Sequence, residues 1–143
     1  MSEDNYRYPC ALLVDDDSTD NYINKRILEL SQFAKKIVVK KSCAEALDYI
    51  RQESNSSENF PNVVFLDYFM PVQGGKEFLD HFEKLPEEIS CRSKVVMLSV
   101  LDEELNPEPY DRKNVFNSIS KPLTEEKLEK VFYPSMVLEK SFV

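Results

Sequence analysis

Short apolar segments that end abruptly at a polar residue constrain the fold of this chain more than any other feature. The most regular are Ala11-Leu12-Leu13-Val14, Val63-Val64-Phe65-Leu66 and Val95-Val96-Met97-Leu98. Runs of this length that are apolar throughout are typical of β-strands buried on both faces of a sheet. Such strands need covering layers on both sides, so helices are expected between them.

Helix signals do separate these segments. They are N-cap chemistry at Ser18-Thr19-Asp20-Asn21, a capping box from Ser42 to Glu45, a capping residue at Thr124, and apolar residues with helical spacing at Ile23, Ile27, Leu30, Phe78, Leu79 and Phe82. Within the first helix, the periodicity predicts that Tyr22 and Asn24 face solvent. Ile37-Val38-Val39 and Val115–Ser120 predict two further strands.

The alternation of strands and helices therefore predicts an α/β fold, a doubly wound five-stranded parallel sheet. Pro107 and Pro109 interrupt the segment between the last two strands, and proline removes a helical hydrogen-bond donor. The fourth helix is therefore expected to be irregular. We expect one domain over residues 1–143, with its core at about 8–133 and no output domain.

Charge and composition exclude several classes of function. Lys and Arg number 18 against 26 Asp and Glu, which gives a net charge of −8. Proteins that grip nucleic acid or an anionic membrane need a basic face, so neither is an expected partner. The chain has only 2 glycines, both at Gly74-Gly75, which excludes a glycine-rich nucleotide-binding loop.

The same sequence predicts a cytoplasmic protein. The polar N-terminal segment lacks the layout of a secretory signal, and no apolar run approaches the ~20 residues of a membrane-spanning helix. The three cysteines, Cys10, Cys43 and Cys91, are scattered without metal-binding or redox spacing. Buried thiols in a reducing compartment are the expected state of all three.

Polar side chains follow the predicted strands where each strand ends. They are Asp15-Asp16-Asp17, Asp67, Ser99 and Lys121. Ligands of such sheets bind at the carboxyl ends of the strands, so these side chains are expected on one rim. Clustered carboxylates repel one another unless a cation lies among them, and oxygen ligands suit Mg²⁺. A hydroxyl and an ammonium on the same rim suit phosphoryl oxygens.

These motifs resemble the receiver domain of two-component response regulators. The resemblance rests on Leu-Leu-Val-Asp15-Asp16-Asp17, Val-Val-Phe-Leu-Asp67-Tyr-Phe-Met-Pro71-Val-Gln-Gly74-Gly75, Val-Val-Met-Leu-Ser99 and Ser-Ile-Ser-Lys121-Pro122, in the family's order. It implies a flavodoxin- or CheY-like sheet with strand order 2-1-3-4-5. It also implies a stand-alone response regulator in a phosphorelay.

The resemblance further implies roles for individual residues. Asp67 would be the phosphoacceptor, while Ser99 and Lys121 would contact the phosphoryl group. The Mg²⁺ ligands would be Asp15, Asp16, Asp67 and the backbone carbonyl of Phe69. Pro122 would follow a cis peptide bond.

The implied partners are a histidine kinase or histidine phosphotransfer protein as phosphoryl donor, and an unknown downstream protein. Phosphorylation of Asp67 would alter a protein-binding surface. The chain would not be an enzyme beyond catalysing its own phosphotransfer and dephosphorylation. Ser118 departs from the family, which usually has an aromatic switch residue at that position.

Two alternatives remain open from the residues. Asp15-Asp16-Asp17-Ser18-Thr19 is also similar to the first motif of haloacid-dehalogenase-like phosphatases, with Asp15 as nucleophile and Asp17 as acid/base. The altered residue at Ser118 also fits a receiver-like binding module that is never phosphorylated. Phosphopeptide mapping separates the first alternative, because the label would lie on Asp15 or on Asp67.

Overall fold

The computed structural model describes residues 5–68, 70, 74–99 and 114–133. The strands within these ranges are β1 (Tyr8–Val14), β2 (Ala34–Lys40), β3 (Val63–Asp67), β4 (Lys94–Ser99) and β5 (Val115–Ser120). The helices are α1 (Ser18–Leu30), α2 (Cys43–Gln52), α3 (Gly75–Glu83), the short α4 (Glu87–Ser90) and α5 (Glu125–Phe132).

The five strands form one sheet in the order β2-β1-β3-β4-β5, with every neighbouring pair parallel. In β1, Leu12 lies opposite Val38 of β2 and Val64 of β3. Asp67, the last residue of β3, lies opposite Leu98 of β4. The predicted fold class and strand order are therefore confirmed.

Alternate residues of the central strands supply a hydrophobic cluster on each face of the sheet. Leu12 and Val64 pack with residues of α2 and α3 on one face. Leu13 and Phe65 pack with residues of α1 and α5 on the other. Because both faces are covered, the central strands have no solvent-facing side and are apolar throughout.

The buried face of α1 differs from the predicted one. Its buried residues are Asn21, Asn24 and Leu28. Ile23 and Leu30, which were expected to be buried, are 41% and 67% exposed. The prediction that Tyr22 faces solvent is confirmed, because Tyr22 is 69% exposed.

Hydrogen bonds explain why α1 buries asparagines. The side-chain amide of Asn21 donates to the carbonyl of Asp15 over 2.8 Å. Oδ1 of Asn24 accepts a hydrogen bond from the backbone N–H of Leu123 over 3.3 Å. The prediction that Asn24 faces solvent is wrong, because apolar spacing does not register a polar side chain whose partner is a distant backbone group.

Three helices begin at side-chain caps. Ser42 and Thr124 each accept a hydrogen bond from the backbone N–H three residues on, as predicted for α2 and α5. The cap of α1 is Asp17 rather than Ser18, which is the first helical residue. The cap therefore lies just before the segment 18–21 in which it was predicted, and it is an acid of the Asp15-Asp16-Asp17 motif.

The short helix α4 and the contacts of Arg92, two residues beyond its end, were not predicted. Just beyond α4, the Arg92 guanidinium donates to the carbonyl oxygens of Ser54 and Ser56 over 2.6 and 2.9 Å. It also lies 4.0 Å from the ring centroid of Phe60. These contacts attach the polar loop after α2 to the body of the domain.

The edge strand β2 carries several lysines. Lys35 and Lys36 are exposed and Lys40 is half-buried. The Lys36 ammonium donates to Oδ1 of Asn59 over 2.9 Å. Among the strands of the described residues, β2 pairs only with β1 and lies at the edge of the sheet.

Three further expectations have separate outcomes. The predicted irregular helix between β4 and β5 lies outside the described residues. Cys10 and Cys43 are buried as expected, but Cys91 is exposed. No helix within the described ranges has the length and apolar character needed to cross a bilayer.

Candidate functional site

The side chains predicted to share one rim do lie at the same end of the sheet. Asp15 directly follows β1, Asp67 ends β3, Ser99 ends β4 and Lys121 directly follows β5. Because every strand runs in the same direction, these positions converge at the carboxyl edge. Phe69, whose carbonyl was expected to be a metal ligand, lies outside the described residues.

Three carboxylates form a compact cluster at this edge. Asp15, Asp16 and Asp67 each offer one oxygen, and these oxygens lie within 4.8 Å of one another. Asp15 and Asp67 are buried, whereas Asp16 is exposed. Hard oxygen donors at this spacing fit a small divalent cation such as Mg²⁺, with the exposed side open for water ligands.

Lys121 lies among these acids. Its Nζ atom is 2.8 Å from Oδ2 of Asp15, 2.9 Å from Oδ2 of Asp20 and 3.5 Å from Oδ2 of Asp67. Burial disfavours the charged ammonium, but the contacts with Asp15 and Asp20 outweigh burial and raise the pKa of Lys121 above its usual range. Lys121 therefore remains a cation at neutral pH.

Asp15 is the most buried acid of the cluster. Burial raises its pKa, and the charge of Asp67 acts in the same direction. Two contacts oppose this shift, one from the Lys121 ammonium and one from the backbone N–H of Asp17, which donates to Oδ1 of Asp15 over 2.9 Å. The site therefore holds a carboxylate that would gain from a second positive charge nearby.

Ser99 brings a buried hydroxyl to the same edge. Ser99 is only 1% exposed, and its Oγ atom has no hydrogen-bond partner among the described residues. Its backbone carbonyl accepts from the N–H of Lys121 over 2.6 Å. A buried hydroxyl without a partner is unfavourable, so it is available to a ligand that reaches this edge.

Gly74 and Gly75 allow the start of α3 to pack closely against Tyr68, the residue that follows Asp67. The N–H of Gly75 donates to the carbonyl of Tyr68 over 2.8 Å. A Cβ atom on Gly75 would lie only 2.9 Å from the Cα atom of Tyr68, and one on Gly74 would lie 2.8 Å from the Tyr68 carbonyl oxygen. Only glycine allows α3 to begin this close to the backbone beside Asp67.

The segment between β5 and α5 is also fixed in place. The Lys121–Pro122 peptide bond is cis, as the family resemblance implied. The next residue, Leu123, is buried and donates its N–H to Asn24 of α1.

Two residues of the site were missed from the sequence. Asp20 contacts Lys121, and Asn24 holds the N–H of Leu123, so both tie α1 to the segment after β5. Their spacing is one helical turn, which places them on the same face of α1. The spacing alone does not reveal their partners, which lie about 100 positions further along the chain.

One acid of the Asp15-Asp16-Asp17 motif stabilises the start of α1. Asp17, the acid/base in the phosphatase alternative, accepts the backbone N–H of Asp20 and caps α1. Its carboxylate is therefore used in starting the helix.

The family comparison and the comparison with solved structures both find response regulators. The family model described as "Response regulator receiver domain" matches residues 11–133. A two-component response regulator from Cytophaga hutchinsonii is 26% identical with a TM-score of 0.73, over 91% of this chain and 96% of that one. The bacteriophytochrome response regulator AtBRR is 28% identical with a TM-score of 0.72, over 87% of this chain and 90% of that one.

A more distant structure shares the fold. The chemotaxis response regulator CheY4 of Vibrio cholerae is 19% identical with a TM-score of 0.66, over 93% of this chain and 98% of that one. No curated protein matches the chain as a relative.

Proposed function

The chain belongs to the response regulator receiver domain family, and on that premise we propose that it is a phosphorylation switch whose phosphoacceptor is Asp67. The receiver core is residues 8–133, working as a single unit. In this proposal the protein accepts a phosphoryl group from a histidine kinase or a histidine phosphotransfer protein. It then signals by altering a surface that another protein binds.

The proposed chemistry assigns one task to each side chain of the rim. A carboxylate oxygen of Asp67 attacks the phosphorus atom of the donor's phosphohistidine. The new P–O bond forms as the P–N bond breaks, and the imidazole leaves with the donor protein, taking up a proton from solvent. Lys121 and the Ser99 hydroxyl bind oxygens of the transferred group. Asp15 and Asp16, with Asp67, would hold Mg²⁺, which when bound would neutralise charge on the transferring phosphoryl group.

The observation that carries this proposal is the position of Lys121 between Asp15 and Asp67. The ammonium therefore lies beside the proposed acceptor carboxylate, which is also a member of the compact acid cluster. This arrangement suits a group that is anionic and arrives with a metal ion. The buried hydroxyl of Ser99, which has no partner among the described residues, adds a further donor.

The two alternatives lose support for separate reasons. The phosphatase alternative needs Asp17 as an acid/base, but its carboxylate caps α1, and the family match is to receivers. If the protein were a binding module that is never phosphorylated, the acid cluster, the Lys121 ammonium and the Ser99 hydroxyl would have no common chemical role.

The test is phosphorylation with acetyl phosphate in the presence of Mg²⁺, followed by intact mass and peptide mapping. Wild-type protein should gain one phosphoryl group on Asp67, and Asp67→Asn should gain none. Asp48→Asn is the matched control, because Asp48 is an exposed acid on α2. Labelling on Asp15 would support the phosphatase alternative, and a wild type without label would support the binding module.

A further inference from the structure

We propose that Asp20 is a positioning residue that keeps the Lys121 ammonium at the rim when a divalent cation is bound by Asp15, Asp16 and Asp67. The inference rests on the proposed function, because it concerns the same lysine and the same acids. It gives a role at the site to a residue of α1 that the family motifs do not include.

The contacts of Lys121 are shared among three carboxylates. Nζ is 2.9 Å from Oδ2 of Asp20, compared with 2.8 Å for Asp15 and 3.5 Å for Asp67. An ammonium has three protons to donate, so the three acids together match its capacity. Asp20 holds the lysine about as closely as Asp15 does and more closely than Asp67.

Asp20 differs from the other two partners in one respect. Asp15 and Asp67 belong to the group of acids whose oxygens could surround a metal ion, and Asp20 does not. A cation bound there would engage the same two carboxylates that Lys121 now contacts, and it would repel the ammonium. Asp20 is then the partner that remains fully available to Lys121.

The position of Asp20 is set by its own helix. Its backbone N–H donates to Oδ1 of Asp17 over 3.0 Å, which fixes the first turn of α1. One turn later, Asn24 accepts the N–H of Leu123 over 3.3 Å. The helix and the segment that carries Lys121 are therefore joined at two points, so the carboxylate is held beside the ammonium.

Partial burial makes this contact more than a loose surface pair. The Lys121 side chain is 12% exposed and the Asp20 side chain is 36% exposed. A lysine released from Asp20 would regain much of its rotamer freedom, and a phosphoryl group would then have to order it again.

The experiment compares Asp20→Asn with Asp17→Asn. Both variants remove one negative charge from the start of α1, and asparagine caps a helix about as well as aspartate. No ion pair joins Asp17 to Lys121 in the part of the chain that the structure describes. A difference between the variants therefore reports the contact with Lys121 and not the change in net charge.

The first measurement is the NMR resonance of the Lys121 ammonium in saturating Mg²⁺, assigned with Lys121→Met. We expect a slowly exchanging resonance in wild type and Asp17→Asn, and its loss in Asp20→Asn. The second is the affinity of the Mg²⁺-loaded proteins for beryllofluoride. It should fall by a factor of about 5 in Asp20→Asn relative to Asp17→Asn, the upper range for a partly exposed ion pair.

The proposal is overturned if Asp20→Asn keeps the resonance, if it binds beryllofluoride as tightly as Asp17→Asn does, or if wild type shows no such resonance. A wild type that binds Mg²⁺ but takes up no phosphoryl group on Asp67 contradicts the proposed function alone, because the NMR comparison still decides the role of Asp20. A wild type that binds no Mg²⁺ contradicts both.

Discussion

The Nζ atom of Lys121 lies 2.8 Å from Oδ2 of Asp15, across the edge of the sheet. Asp15 is 1% exposed and the Lys121 side chain 12% exposed. Both groups have little access to water. Asp15 depends on Lys121 for compensation of its charge, whereas Lys121 also contacts Asp20 and Asp67. The stability of the domain should therefore be sensitive to the loss of Lys121.

Replacing Lys121 with Met should destabilise the metal-free protein. The buried Asp15 carboxylate would lose its cation, and removing one partner of a buried pair typically lowers the free energy of unfolding by about 3 kcal/mol. Urea unfolding at neutral pH measures this loss, and added Mg²⁺ should recover part of it. The control is Lys130→Met, because Lys130 pairs with Glu126 over 3.8 Å at the surface. Equal losses in the two variants would contradict the expectation.

The raised pKa of Asp15 predicts a pH dependence of stability. Folded protein retains the Asp15 proton at pH values where the unfolded chain, with an ordinary pKa of about 4, has released it. The free energy of unfolding contributed by this group is therefore highest at low pH. It declines as the pH rises from the ordinary value to the raised one.

Asp15→Asn should abolish this part of the pH dependence in metal-free protein, and Asp48→Asn should retain it. Urea unfolding from acidic to neutral pH, with both variants compared at each pH, is the measurement. A decline of the same size in Asp15→Asn would assign it to another group. Mg²⁺ affinity of the wild type should weaken as Asp15 is protonated, because metal ligands must be deprotonated.

Ser99→Ala should stabilise the metal-free protein, by about 1 kcal/mol, because it removes a buried hydroxyl that has no partner among the described residues. The same change should weaken beryllofluoride binding, since the hydroxyl is proposed to bind a phosphoryl oxygen. Ser93→Ala is the matched control. Ser93 is also buried, but its Oγ atom donates to the carbonyl of Pro61 over 2.6 Å, so its loss should destabilise. Chemical unfolding that moves both variants in the same direction would refute this distinction.

Arg92→Lys should loosen the polar loop after α2. The guanidinium donates to two carbonyl oxygens and stacks on Phe60, which a lysine ammonium cannot reproduce. Limited proteolysis should show faster cleavage near residues 53–59 in this variant than in wild type. Arg26→Lys, at an exposed position on α1, should leave the cleavage rate unchanged. Unaltered cleavage in Arg92→Lys would show that these contacts do not hold the loop.

The sequence predicts most directly those strands that are buried on both faces of the sheet. Strands covered on both faces are apolar throughout, so β1, β3 and β4 were predicted from their short runs of consecutive apolar residues. The residues after them converge because the strands are parallel. The close approach of Gly74 and Gly75 to Tyr68 was not predicted. The face of α1 was mispredicted because Asn21 and Asn24 are buried through hydrogen bonds to the rest of the fold.

Asp20 was missed for a related reason. Its partner Lys121 is 101 positions away in the chain, so no local pattern indicates the contact. The roles proposed for Asp67, Ser99 and Lys121 came from the family resemblance and from their shared edge, and they remain predictions that the phosphorylation experiment tests.

The lysines of β2 have a consequence for the behaviour of the protein in concentrated solution. An edge strand presents unpaired backbone groups that can pair with another chain and start aggregation. Lys35 and Lys36 are both exposed on this edge strand. Two copies approaching through β2 would bring these ammonium groups together, and their repulsion disfavours extension of the sheet from one molecule to the next.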